Sequence, residues 1–334
     1  MHSSWWKLPL SVALALLCLY FAFKGTDWKG FAQGLSLCSW WWVAASVAIG
    51  WAGFVIRGAR WRIVMLPLNR EISLRESYDG YTIAYLSNFA LPRIGEFVRC
   101  GVIGATGKAS FEAVLGTVIL ERSWDLLSLG IVLLLVCSLQ WQRFGDFLSS
   151  LLPDTFSLSP MIIAVAVGLV LLALLCVIFV CRRCEGPAQN RAAGRIISAF
   201  LSLRDGIVMG LKMPRKWEFL LWTLLLWLSY FFTAWCGIKA FAGPHFPEMN
   251  ALGFGDAIFL SVVGSLGWLV PVPGGIGAYH YIVALALSSI YGIAWDSGLL
   301  FATVSHEAQA LAMILAGTLS VLFIQLKKIK TKQI

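Results

Sequence analysis

Charged side chains are scarce in this sequence: Asp, Glu, Lys and Arg make up 13% of its 334 residues, against 59% hydrophobic. A chain so composed cannot face water on every side, which excludes a soluble globular protein and leaves a polytopic membrane protein. Acidic charge is the scarcer sign, with 17 Asp and Glu against 26 Lys and Arg. The basic residues collect in loops and at the C-terminus, not along an amphipathic face, so they read as cytoplasmic loops beside anionic lipid and no nucleic-acid partner is expected. Long polar stretches are missing too. The longest loop, about 36 residues, is too short for a catalytic core, and no soluble domain is expected. The eight cysteines form no framework: Cys18, Cys137, Cys176 and Cys236 lie inside apolar runs as small hydrophobes. Cys181 and Cys184 have redox-like spacing but sit at a basic membrane exit without a second ligand pair. HExxH is absent, so neither a metal nor a cofactor is expected. No nucleophile, base and orienting group stand together, so the chain is not expected to be an enzyme.

What the sequence has is apolar length. Six segments can cross a roughly 30 Å hydrocarbon layer: residues 8 to 24, 39 to 57, 111 to 139, 160 to 182, 218 to 241 and 298 to 326. The first follows Lys7 as a signal peptide would, but no small-residue cleavage site comes after it, so it reads as an uncleaved span. Two further apolar stretches are broken at their centres, by Leu91-Pro92-Arg93-Ile94-Gly95-Glu96 and by Val270-Pro271-Val272-Pro273-Gly274-Gly275. Each break frees backbone groups that only a protein-lined cavity can satisfy, and paired breaks in two halves point to a transporter's binding site.

Loop charge sets the sides. Residues 57 to 76 carry Arg57, Arg60, Arg62, Arg70 and Arg75, the 183–217 loop is strongly basic, and Lys327, Lys328, Lys330 and Lys332 close the chain, while 140–159 and 242–256 are neutral to acidic. The basic segments share one face, with both termini cytoplasmic, if each broken stretch returns to the side it left. Residues 78–107 are therefore read as a re-entrant hairpin from the cytoplasm and 256–291 as one from outside. The arms of the second are long enough to span, and a version with up to ten crossings keeps the same ends. The expected fold is an all-α polytopic membrane protein, an inverted repeat of three spans plus one re-entrant hairpin per half, over 1–139 and 160–326 of a single membrane domain covering 1–334. Thr117-Val118-Ile119-Leu120-Glu121 resembles Thr303-Val304-Ser305-His306-Glu307, in keeping with such a repeat.

Ionisable groups near a bilayer centre cost at least ~2.5 kcal/mol each, which makes those present candidates for function. Arg93, Glu96 and Arg99 follow one another at i, i+3, setting both guanidiniums beside one carboxylate. With the helix start near Ile94, Arg93 forms a candidate phosphate cradle. A salt-bridged ladder that makes the hairpin tolerable is the plainer reading. Glu121 and Asp125 share a face at i, i+4, with Arg122 rotated by about 100°; they either neutralise the hairpin arginines, carry protons, or tie hairpin to span. Pro271, Pro273, Gly274, Gly275 and Gly277 permit close backbone approach at the second break. His280 follows, and His306 and Glu307 lie in the last span as candidates for proton coupling, although a lone membrane histidine is more often a packing residue. The 16 tryptophans sit mostly near span ends as interfacial anchors.

At these residues the chain resembles the lysylphosphatidylglycerol synthase transmembrane family of flippase-like integral membrane proteins, standing alone without the synthase domain. The resemblance covers nearly the whole chain. It rests on Arg57-Gly58-Ala59-Arg60-Trp61-Arg62, on Asn88 with Leu91-Pro92-Arg93-x-Gly95-Glu96-x-x-Arg99, on Glu121-Arg122-x-x-Asp125 and on Pro273-Gly274-Gly275-Ile276-Gly277. The chain departs from the family in placing His280 where a glutamate is usual and His306-Glu307 where an arginine is usual. The resemblance implies lipid translocation, with Asn88, Arg93, Glu96, Arg99, Glu121, Arg122 and Asp125 as the substrate site and the second hairpin as its gate, in a bacterial inner membrane. The expected partner is a membrane lipid with an anionic headgroup, with or without a lipid-modifying enzyme. Two other functions fit the same residues: transport of a small soluble anion, or holding a lipid for a glycosyl- or acyltransferase.

Overall fold

A computed structural model describes residues 7–140, 142–143, 145–147, 213–268 and 270–332. Among them the chain is helical and forms no strand. The helices are α1 (Lys7–Phe23), α2 (Trp28–Leu37), α3 (Trp40–Met65), α4 (Leu74–Ala90), α5 (Gly95–Gly104), α6 (Phe111–Leu139), α7 (Lys216–Phe241), α8 (Phe254–Gly267), α9 (Ala278–Tyr291) and α10 (Trp295–Lys332), with short 3-10 turns at Pro247–Ala251 and Pro273–Gly275. By length and composition α3, α7 and α10 can each cross a membrane, and α1 with α2 makes a fourth candidate as a pair bent by 87°. The span expected at 160–182 and most of the 183–217 loop lie outside the described residues.

Three features depart from the expected segment bounds. The first apolar segment is followed by a second helix: Gly25 turns the chain with φ 80°, and the Asp27 carboxylate accepts the Lys29 N–H to start α2. Aspartate is a favoured N-cap because its oxygen satisfies a first-turn amide. The second segment does not end at residue 57. It runs on to Met65, so Arg57, Arg60 and Arg62 are helical and do not belong to a basic loop. The last segment likewise extends to Lys332.

Two compact units divide the chain, Met1–Val114 with Glu218–Ile334, and Leu115–Trp217. In the first, α4 packs on α3, α5 and α10, α9 packs on α1, α8 and α10, and α2 lies against α10. Small residues permit the close crossings. A Cβ at Gly317 of α10 would meet Leu86 Cβ at 2.6 Å and the Thr82 carbonyl at 2.7 Å, and one at Gly58 of α3 would meet the Tyr78 backbone at 3.1 Å. Polar links reinforce these contacts: Thr82 Oγ1 bonds Ser320 Oγ at 2.8 Å, and Gln309 Nε2 donates to the Ser46 carbonyl at 3.1 Å. Where side-chain and backbone polar groups leave water together, each such bond removes a desolvation cost.

The first broken stretch is two helices either side of residues 91–94. Ser73 and Glu76 form a capping box at the foot of α4. Its 17 residues reach about 25 Å at 1.5 Å per residue, short of a full crossing. The second is α8, a break around Pro271–Gly277, and α9, which ends at Gly292 with φ 65°. In the other unit, α6 from Leu115 onward buries Val118, Leu120 and Trp124 together with Glu121 and Ser123.

Candidate functional site

The first break is held open by a cap. Asn88, at the end of α4, accepts the Gly95 N–H at 2.8 Å, so the first amide of α5 already has a protein acceptor. A Cβ at Gly95 would meet Asn88 Nδ2 and the Ala84 carbonyl carbon at 2.9 Å, so glycine is needed for α5 to start this close to α4. Arg93 lies between the two helices with φ 63° and is exposed. Arg93 therefore lies before the helix that carries Glu96 and Arg99, and only those two are on one helix. Arg99 Nη2 meets Glu96 Oε2 at 2.5 Å.

Arg99 is fully buried. Its guanidinium lies over the rings of Trp61 at 4.8 Å and Tyr81 at 4.6 Å. The negative ring faces stabilise a cation inside an apolar unit, by about 2 kcal/mol or more where water is excluded. The same arrangement repeats one helix away. Arg57 of α3 lies over Tyr81, Tyr85 and Tyr230 at 5.9, 6.0 and 5.6 Å and hydrogen-bonds the Tyr230 hydroxyl. Arg60, also fully buried, lies over Phe219 at 5.5 Å. Sequence reasoning missed these two as members of the buried charge system. The available signal was Arg57, Arg60 and Trp61 at helical spacing, continuous with the apolar run before them.

Within the other unit, Glu121 is fully buried. Asp125 is engaged by Arg122 Nη1 at 3.1 Å, so the carboxylates that share a face in the helix have different surroundings.

At the second break Gly274, Gly275 and Gly277 all have left-handed backbone, with φ 60°, 77° and 82°. A Cβ at Gly274 would meet the Phe89 ring at 2.6 Å, and one at Gly277 would meet Cys18 Cβ and the Ala15 carbonyl at 2.8 Å. Phe89 belongs to the end of α4, so the two breaks touch. Pro273 opens the 3-10 turn and Pro271 precedes it, exposed.

His280, His306 and Glu307 converge here. His306 Nε2 bonds the Gly274 carbonyl at 2.9 Å, and its Nδ1 faces Glu307 Oε1 at 3.0 Å. His280 Nε2 is 3.4 Å from the same oxygen, while its Nδ1 accepts the Gly277 N–H at 3.3 Å, capping α9. The two rings lie 5.0 Å apart, so neither is the lone histidine the sequence suggested. One donor atom from each residue lies within 4.8 Å of the others, a spacing that suits a metal. The hydrogen bonds do not: Nδ1 of His280 is an acceptor, so its proton is on Nε2, which leaves no lone pair for an ion.

Apolar helices of membrane-crossing length, arginines buried on aromatic faces and two helix breaks in contact define an integral multi-pass membrane protein. The chain belongs to the lysylphosphatidylglycerol synthase TM region family, whose pattern matches residues 9–317. That membership places it among membrane proteins concerned with phospholipid modification or transport. Comparison with curated proteins gives no match.

Proposed function

We propose that the protein is a lipid flippase that carries a phospholipid or lipid-linked anionic headgroup across a bacterial inner membrane, with both termini cytoplasmic and no catalytic step of its own. The observation that carries this reading is the contact of the two helix breaks, Phe89 of α4 against Gly274. Irregular backbone at membrane depth is tolerated where it lines a cavity, and opposed breaks in the two halves of an inverted repeat are where transporters bind substrate. Arg93, exposed at the first break beside the α5 start, takes the headgroup phosphate. A planar guanidinium matches phosphate oxygens in a two-pronged contact. Arg99, buried and paired with Glu96, acts behind it by fixing α5, with Arg57 and Arg60 on their aromatic faces. The Gly-rich break is the opposing gate. A charged headgroup needs such a path because hydrocarbon would strip its hydration.

The test is translocation of headgroup-labelled phospholipid in proteoliposomes. The wild-type protein is expected to move label between leaflets, and Arg93→Ala to slow this by about tenfold or more, as loss of a charge-assisted contact implies. Equal rates in the two proteins would remove Arg93 from the site. Uptake of a soluble anion with no lipid movement would replace the lipid reading.

A further inference from the structure

The hydrogen bonds around His306 count protons. The Gly274 carbonyl can only accept, so His306 Nε2 carries a hydrogen. On the other side of the ring, Nδ1 and Glu307 Oε1 stand 3.0 Å apart, and two lone pairs cannot face each other at that distance. One hydrogen therefore lies between them, whether it is assigned to an imidazolium facing a carboxylate or to a carboxylic acid facing a neutral ring. His280 adds none to this count, because its Nε2–H points to the same carboxyl oxygen while its Nδ1 lone pair caps α9. In either form the His306–Glu307 pair is neutral overall, as its place in a membrane segment favours.

If that proton leaves, one ring hydrogen must serve two acceptors. Held on Nε2, it keeps the Gly274 bond but leaves Nδ1 facing a carboxylate. Moved to Nδ1, it satisfies Glu307 and turns the Nε2 lone pair toward the Gly274 carbonyl. The carboxylate is the stronger acceptor, so the bond to Gly274 is the one lost. We propose that His306 and Glu307 form a proton-binding site that latches α10 to the Gly-rich break: the latch is closed while the shared proton is held and opens when it departs. The Glu307 side chain is 45% exposed and the His306 side chain 2%, so protons exchange through Glu307. The titratable groups facing the pair are His280 and Tyr279 from α9, the latter with its ring 5.1 Å from that of His306, and Cys18 of α1 across Gly277. Trp268 and Phe89 supply apolar walls.

The experiment needs no lipid transport, so its outcome is separate from that of the flippase reading. Full-length protein in nanodiscs is labelled at histidine, and ring protonation is followed by nitrogen NMR across the whole pH range over which the protein stays folded. Only four histidines are present, and His2→Asn with His245→Asn leaves the two of interest. His306 is expected to be protonated on Nε2 at low pH and on Nδ1 alone at high pH. Over the same range, hydrogen exchange in the 270–277 segment, corrected for intrinsic rate, is expected to rise about tenfold, the effect of losing one net hydrogen bond. In Glu307→Gln, the amide NH2 takes the place of that oxygen and donates permanently to Nδ1, giving up the longer 3.4 Å contact from His280 Nε2, and both responses should vanish with the latch closed. A wild-type His306 that keeps its Nε2 proton throughout, a flat exchange profile, or the same response in Glu307→Gln would each overturn the proposal. Should the variant not fold, the wild-type ring assignment decides alone.

Discussion

Arg93 is the one non-glycine residue among those described with a left-handed backbone, a conformation uncommon outside glycine, asparagine and aspartate. Its position between Pro92 and the α5 start leaves its backbone outside the helix that carries Glu96 and Arg99, with its side chain exposed. The neighbouring Asn88 is a site residue by sequence, but its contact in the structure is with the backbone, the Gly95 N–H. Removing that acceptor in Asn88→Ala leaves a helix-start amide unsatisfied, at a cost of about 1 kcal/mol. The expected result is a fall of about 2 °C in the thermal unfolding midpoint in detergent, with Asn88→Asp close to wild type because a carboxylate oxygen can take the same bond. An unchanged midpoint in Asn88→Ala would return Asn88 to a direct role toward ligand.

At the scale of elements, the foot of the first hairpin carries a pH dependence that can be signed. Glu76 lies before residue 78, outside the membrane segment. It accepts from Lys108 Nζ at 2.8 Å and from the Ser73 N–H at 2.8 Å. Burial pushes its carboxyl up, but the bonds from Lys108 and Ser73 outweigh this and hold it below its ordinary value of 4.5. A depressed carboxylate adds stability that is present above the unfolded-state value and is lost as pH falls through the folded one. Thermal stability is therefore expected to drop below about pH 4.5, and Lys108→Met should flatten that drop while lowering stability at neutral pH by up to about 1 kcal/mol; an identical acid profile in the variant would show that the pair is not responsible. The end of α3 teaches a different lesson. Arg57, Arg60 and Arg62 read as a basic loop because charge normally ends an apolar span. Here Tyr81 and Tyr85 of α4 and Phe219 and Tyr230 of α7 give Arg57 and Arg60 aromatic faces, and the helix continues to Met65. The bend after α1 was more legible, since Gly25 and Asp27 are turn and N-cap residues by type.

For the whole molecule, the orientation proposed from loop charge has a direct check. A C-terminal epitope should resist protease in right-side-out vesicles and be cleaved in inverted ones, as the terminal lysines require of a cytoplasmic end. Cleavage in right-side-out vesicles would reverse the proposed faces of both hairpins. The proposed gate draws on α1, α4, α9 and α10 together. Phe89 and Cys18 close on Gly274 and Gly277 from opposite elements, and His306 ties the same turn to α10.

The sequence by itself determined the membrane class, the family and the presence of two broken stretches, because hydropathy, proline and glycine act over a few residues of chain. It also singled out the residues of the second break, but not their association. That His280 and His306 share one carboxylate, that Arg57 and Arg99 share the Tyr81 ring, and that Phe89 seals Gly274 were decided by tertiary structure alone. Each joins residues from helices far apart in the chain. Such contacts depend on packing distances of a few ångströms set by small residues at the crossings, and no local pattern encodes them.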